Sequence, residues 1–198
     1  MGTIVQGQHI EKSYRAGDVD VPAVRGVDFT IAAGSFVAFV GPSGSGKSTL
    51  LNMIGGLDKP SAGTLTVLDT DIASLDHRAA AEFRGAHLGF IFQDFNLIPV
   101  LSAYENIEYP LLMVQDWQES KRRARVTELL AAVGMADQAD KRPDQLSGGQ
   151  KQRVAVARAL ATNAKLVLAH EPTANLDHDT AYRIIALMKK MRDEFGTT

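Results

Sequence analysis

The sequence predicts an α/β protein: a parallel-sheet core around a phosphate-binding loop, an N-terminal antiparallel β layer, and an inserted helical subdomain. Three observations carry this. The stretch Gly41-Pro42-Ser43-Gly44-Ser45-Gly46-Lys47-Ser48-Thr49 fits G-x-x-x-x-G-K-[ST] at every fixed position. An apolar, β-branched and aromatic run, Phe36-Val37-Ala38-Phe39-Val40, leads into it, and helix-compatible residues, Leu50-Leu51-Asn52-Met53-Ile54, follow, so the loop is read as the turn from a strand into a helix. From residue 94 to about 158 the strand-like runs give way to helical periodicity.

Taken in order, residues 3–8 alternate imperfectly and Val27-Asp28-Phe29-Thr30-Ile31 alternates well, which predicts antiparallel strands separated by a polar loop. Tyr14 stands in that segment, where an aromatic either stacks on a purine base or packs structurally. In the glycine loop the backbone turns tightly and aims N–H groups at phosphate oxygens, with the positive end of the next helix behind them. Lys47 is expected to reach the β- and γ-phosphates, Ser48 to place its hydroxyl on Mg²⁺, and Thr49 to support the α-phosphate side. Pro60-Ser61-Ala62-Gly63 marks a turn before a strand at 64–68, and residues 79–84 read as a short helix. Leu88-Gly89-Phe90-Ile91-Phe92 reads as a buried strand ending at Gln93, at the edge where open α/β sheets place ligands.

The helical part opens on Ser102-Ala103-Tyr104-Glu105, a capping-box pattern. A second helix over 120–133 carries Val126, Leu129, Leu130 and Val133 as one stripe, and its basic cluster, Lys121, Arg122, Arg123 and Arg125, reads as a solvated face. Leu146-Ser147-Gly148-Gly149-Gln150 then opens a helix over 151–161; Ser147 is either an ordinary N-cap or part of an anion-binding helix end. A strand, Leu166-Val167-Leu168-Ala169, runs into His170-Glu171, and an amphipathic helix with Ile184, Leu187, Met188, Met191 and Phe195 follows. The composition has 21 Lys+Arg against 23 Asp+Glu and no cysteine. That balance gives no basic field to attract nucleic acid, and the lack of cysteine excludes thiolate catalysis and fits a reducing compartment. No apolar run approaches the length needed to span a bilayer, so the expectation is a chain that is soluble by itself.

The order of motifs resembles the ATP-binding subunit of an ABC transporter, over essentially the whole chain: phosphate loop, glutamine after a strand, Leu-Ser-Gly-Gly-Gln, then a strand ending in glutamate. Gly55-Gly56-Leu57-Asp58-Lys59-Pro60, residues 93–99 and Tyr104-Glu105-Asn106-Ile107 further resemble its macrolide-exporter and lipoprotein-release group. The resemblance implies a single ABC-type domain with a RecA-like core formed by residues 1–93 and 159–198, and a helical subdomain at 94–158. It implies ATP and Mg²⁺ as cofactors, an ATPase, a homodimer, a membrane-spanning partner and no nucleic acid, with the chain cytoplasmic and peripheral on the inner face of the cell membrane. Carried over residue by residue, Tyr14 matches the adenine-stacking aromatic and Gln93 the glutamine that contacts Mg²⁺ and the attacking water. Ser147 and Gly149 match the elements that clamp the γ-phosphate of the opposite subunit, Glu171 the residue that polarises the water, and Asp177 the loop linking the two sites. Glu171, Gln93 and Lys47 are thus the expected catalytic set. Two departures stand beside these matches. His170 occupies the place of an aspartate that holds Mg²⁺ through water, and the strand and switch histidine with which the family continues do not occur before Thr198. An ATP-binding dimerisation module with little or no turnover is the alternative these departures favour. The surface around Gln93 to Tyr104 is expected to dock the membrane partner, since Phe95, Leu97, Ile98 and Pro99 form an apolar segment just after the glutamine; the alternative is that they pack inside the helical insertion.

Overall fold

The computed structural model describes residues 2–198, which fall into two compact units, one up to Arg84 together with Thr198 and one over Gly85–Thr197. In the first, β1 (Thr3–Ala16) and β2 (Val19–Ala32) form an antiparallel hairpin turning through Gly17 and Asp18. Both strands are longer than the alternation suggests, and they replace the expected polar loop. Beyond Ile10 nearly every residue of β1 is exposed, so no apolar periodicity marks this part. The ladder itself makes it a strand, and Tyr14 lies on β1 opposite Val21.

The loop follows β2 and leads into α1 (Lys47–Ile54). β3 (Ala62–Val67) pairs with the other edge of β1, and the short β4 (Thr70–Asp71) completes the sheet order β2-β1-β3-β4. Val5, Ile10, Leu65 and Val67 of the sheet and Met53 and Ile54 of α1 are all fully buried, forming the core of this unit. The expected strand at 36–40 is corrected: among the described residues it joins no ladder, and Val37 and Val40 are exposed. β-prone composition makes a strand only when a neighbour offers its hydrogen-bonding edge.

The unit boundary falls inside α2 (His77–His87), which is longer than the helix expected at 79–84. In the second unit β5 (Leu88–Ile91) pairs in parallel with a later strand, β6 (Leu166–Ala169), and His170 N–H donates to the Ile91 carbonyl at 2.9 Å. Between them come α3 (Ala103–Val114), α4 (Glu119–Ala132) and α5 (Gly148–Leu160), and after β6 comes α6 (His178–Phe195). The capping box at Ser102 forms as the sequence suggests: its hydroxyl accepts from Glu105 N–H at 3.2 Å and the Glu105 carboxylate accepts from Ser102 N–H at 2.7 Å. Val126, Leu129, Leu130 and Val133 are buried in one apolar cluster with Ile91, Ile107 and Met191.

The basic face of α4 is not simply solvated. Arg122 pairs with Glu108 at 3.3 Å, and Arg125 donates to the Leu160 carbonyl at 2.8 Å. Its guanidinium thereby satisfies the exposed carbonyl end of α5, where a cation is electrostatically favoured.

Candidate functional site

The phosphate loop is built from two left-handed glycines, Gly44 with φ 78° and Gly46 with φ 85°. Gly46 is the N-cap of α1, and a β-carbon there would also collide with the carbonyl oxygen of Ala23 on β2. Glycine is therefore required twice over. No side chain caps α1 and no acidic residue stands in its first turn, so the backbone N–H groups and positive dipole end are left to an anion. Lys47 Nζ donates to the Gly41 and Pro42 carbonyls, each at 2.8 Å, and lies 3.4 Å from Ser45 Oγ. A lysine held over its own loop by neutral carbonyls transfers readily to a phosphate oxygen, which offers a stronger, charge-assisted bond.

Tyr14 reaches the same place from β1. Its hydroxyl donates to Asp58 Oδ2 at 2.8 Å, and its side chain is also hydrogen-bonded to that of Thr49, the last residue of the motif. The residue remains 42% exposed. Burial, with Asp58 adding to it, pushes the phenol above its ordinary range, so it stays protonated and a donor.

The second unit gathers the other candidates around the loop after β6. Glu171 lies there with φ 45°, a left-handed backbone in a non-glycine residue, strained by about 1–3 kcal/mol. Gln152 of α5 is fully buried and its Nε2 donates to the Pro172 carbonyl at 2.7 Å, one residue beyond Glu171. Asn175 Nδ2 donates to the Gln93 carbonyl at 3.2 Å and to Asp94 Oδ1 at 2.8 Å, tying the Gln93 segment to the same loop. Asp177 caps α6, accepting from Thr180 N–H at 2.9 Å, and that bonding holds its carboxyl below the usual range.

Ser147 caps α5: its hydroxyl accepts from Gln150 N–H at 3.3 Å while the Gln150 side chain accepts from Ser147 N–H at 2.8 Å. Used as an acceptor, the hydroxyl keeps its proton to donate. A β-carbon at Gly149 would come 2.7 Å from Thr180 Cγ2, so close packing by itself calls for glycine there. Segments 93–96, 147–149 and 171–180 thus meet within one unit. Phe95, Leu97 and Ile98 are half-buried, Leu97 packs against the apolar cluster, and Arg158 Nη2 donates to the Phe95 carbonyl at 2.9 Å. Val100 is exposed, as are Tyr109, Leu112, Met113 and Val114 of α3.

Gln152 and Arg158 were not singled out by the sequence reading. The available signal was faint: two polar residues on a helix whose Val154, Ala157 and neighbours are wholly buried. Among the described residues no group of three or more His, Asp or Glu could hold a metal, and no helix is long and apolar enough to cross a membrane.

A glycine loop of full motif opening onto an uncapped helix, beside an antiparallel sheet and with a parallel pair elsewhere, defines a phosphate-loop nucleotide-binding α/β protein. The ABC transporter family model matches residues 24–174, and the chain belongs to that family. Over 194 residues it is 43% identical to the lipoprotein-releasing system ATP-binding protein LolD of Alcanivorax borkumensis, covering 98% of this chain and 85% of that protein. Over 196 residues it is 42% identical to the macrolide export ATP-binding/permease protein MacB of Rhodopirellula baltica, covering 98% of this chain but only 29% of MacB. The solved dimeric structure of the ATP-binding cassette MJ0796 in a post-hydrolysis state, bound to ADP and Pi, matches with a TM-score of 0.87 at 43% identity, covering 98% of this chain and 85% of that one. The fold is that of the ABC ATP-binding cassettes.

Proposed function

We propose that this chain is the ATP-hydrolysing subunit that powers an ABC transporter, through nucleotide-driven head-to-tail dimerisation against a membrane-spanning partner at the cytoplasmic face. The observation that carries the reading is the start of α1: left-handed Gly44 and Gly46, no side-chain cap, and Lys47 poised over the loop. These features fit a nucleotide triphosphate. Ser48 and Gln93 carry hard oxygen donors of the kind Mg²⁺ takes beside phosphate oxygens, and the cation, when bound, neutralises charge developing on the transferred phosphoryl group. Lys47 and the N–H groups of residues 44–49 bind and orient the phosphates; Glu171 orients and polarises water; Asp177 fixes the start of α6 beside Ser147 and Gly149. Ser147 and Gly149 of one protomer close the phosphate site of its partner, the Ser147 hydroxyl and the Gly149 N–H donating from the start of α5.

A second reading, an ATP-binding dimerisation module with little turnover, is favoured by His170, an imidazole where the resemblance leads one to expect a carboxylate. One experiment addresses both. Sedimentation with a slowly hydrolysed ATP analogue is expected to show a dimer that Ser147→Arg abolishes, and steady-state ATPase is expected to disappear in Glu171→Gln and to rise in His170→Asp. Nucleotide-independent monomers throughout refute the dimer mechanism. A dimer whose residual activity is the same with and without Glu171 favours the second reading.

A further inference from the structure

The four side chains Lys12, Tyr14, Thr49 and Asp58 form a connected polar network at the edge of the phosphate loop, and Lys12 and Asp58 have no part in the function proposed above. Lys12 Nζ donates to Asp58 Oδ1 at 2.5 Å and to the Lys59 carbonyl at 2.8 Å. Its side chain is only 12% exposed, and its ammonium lies 5.0 Å from the centre of the Tyr14 ring, within range of a cation–π attraction. Asp58 uses both oxygens: Oδ2 accepts from the Tyr14 hydroxyl at 2.8 Å, and Oδ1 also accepts from Lys59 N–H at 2.7 Å.

Asp58 is in turn fixed to the helix that the loop opens. Leu57 and Asp58 N–H groups both donate to the Asn52 carbonyl of α1, at 2.9 and 3.3 Å. Its carboxylate therefore stands at a set distance from α1 and transmits that distance to the Tyr14 hydroxyl. Burial raises the Asp58 carboxyl, but the Lys12 ammonium, the Tyr14 hydroxyl and the Lys59 amide together outweigh it and hold the group below its ordinary value. The acceptor is thus a full carboxylate at neutral pH. An exposed aromatic hung on the end of a strand has free torsions; this one is fastened at its far end to a segment hydrogen-bonded to the helix that the phosphate loop opens.

We propose that Asp58, clamped by Lys12, is a positioning residue that sets the Tyr14 ring at a fixed height above the phosphate loop and so governs how strongly the loop prefers a purine nucleotide over the same phosphates without a base. The proposal rests on the reading of Tyr14 as the base-stacking aromatic. Stacking depends on ring placement, whereas phosphate binding depends on the loop and Lys47, so the network acts on one part of the affinity and spares the other.

The test is calorimetric titration of the 198-residue chain and its variants with ADP and, separately, with inorganic pyrophosphate. Tyr14→Ala is expected to weaken ADP on the order of tenfold and to leave pyrophosphate unchanged. Tyr14→Phe, which keeps the ring and loses the hydroxyl, and Asp58→Ala are each expected to weaken ADP about threefold with pyrophosphate unchanged, and the double variant to be no worse than either alone, as for two halves of one contact. Loss in Tyr14→Ala with full ADP affinity in Tyr14→Phe and Asp58→Ala overturns the positioning role and leaves the stacking role standing. Unchanged ADP affinity in Tyr14→Ala overturns both. Equal weakening of ADP and pyrophosphate by Asp58→Ala together with unaltered affinities in Tyr14→Phe assigns Asp58 to the loop's own folding and overturns the proposal.

Discussion

Replacing Gln152 by leucine is expected to slow turnover without weakening the protein. The buried amide makes a single hydrogen bond, Nε2 to the Pro172 carbonyl at 2.7 Å, while its Oε1 is buried with no partner. A net contribution of about 1 kcal/mol for the bond made stands against about 1–3 kcal/mol for the acceptor left unsatisfied. Leucine removes both but leaves the part-buried Pro172 carbonyl without this donor, so gain and loss offset and the folded state is about as stable as before. With Glu171 as the proposed water-polarising residue, the expected effect on turnover is a loss. Glu171, at φ 45°, sits in a conformation that costs about 1–3 kcal/mol and persists only while its surroundings hold it. Removing about 1 kcal/mol of restraint from the next residue shifts the equilibrium from the strained toward relaxed conformers roughly fivefold, since about 1.4 kcal/mol is tenfold. Steady-state ATPase is therefore expected to fall, by at most about fivefold in kcat, with ADP affinity unchanged and the urea midpoint level. A fall in kcat accompanied by an equal loss of stability, or a fully active Gln152→Leu, refutes the reasoning.

Two further outcomes follow from other parts of the fold. Burial, then the neighbouring Lys165, push the His87 imidazole below its ordinary value of 6.5. As pH falls through about 6.5 the unfolded chain takes up the proton first, so stability drops from there toward the lower folded value and then levels off; urea midpoints at pH 7.5 and 5.5 are expected to differ less in His87→Gln than in the parent. The exposed Leu112, Met113 and Val114 of α3 are expected to meet the membrane partner, so a photo-cross-linker at position 113 should capture a membrane-spanning protein in native membranes and only intramolecular products if the face is unused.

Much of this was legible in the sequence, for identifiable reasons. The phosphate loop carries its geometry in its residue types, because positive φ at Gly44 and Gly46 and a helix start at Lys47 leave few alternatives. The stripe Val126, Leu129, Leu130 and Val133 and the capping box at Ser102 are likewise local statements, readable within one helical turn or two. What escaped were pairings between distant segments. The outer half of the β1–β2 hairpin is exposed on both faces and so has no alternation to detect, although it holds Tyr14. Arg125 reads as surface charge because nothing near it in sequence reveals that the end of α5 arrives beside it. Gln152, Asn175 and Arg158 act through backbone carbonyls 20, 82 and 63 positions away, and a carbonyl leaves no mark in a sequence.

The run Phe36-Val37-Ala38-Phe39-Val40, exposed at Val37 and Val40 and joined to no ladder, bears on how solutions of this protein age. With the preceding Ser35 it makes six residues without charge or proline, four of them aromatic or β-branched, which is the profile of a segment that stacks with copies of itself into cross-β assemblies. Association by this route is expected to grow with concentration, temperature and standing time. A sample left concentrated is therefore expected to accumulate high-mass material, measured by light scattering, that Ser147→Arg does not prevent and that a lysine placed at position 37 or 40 holds back.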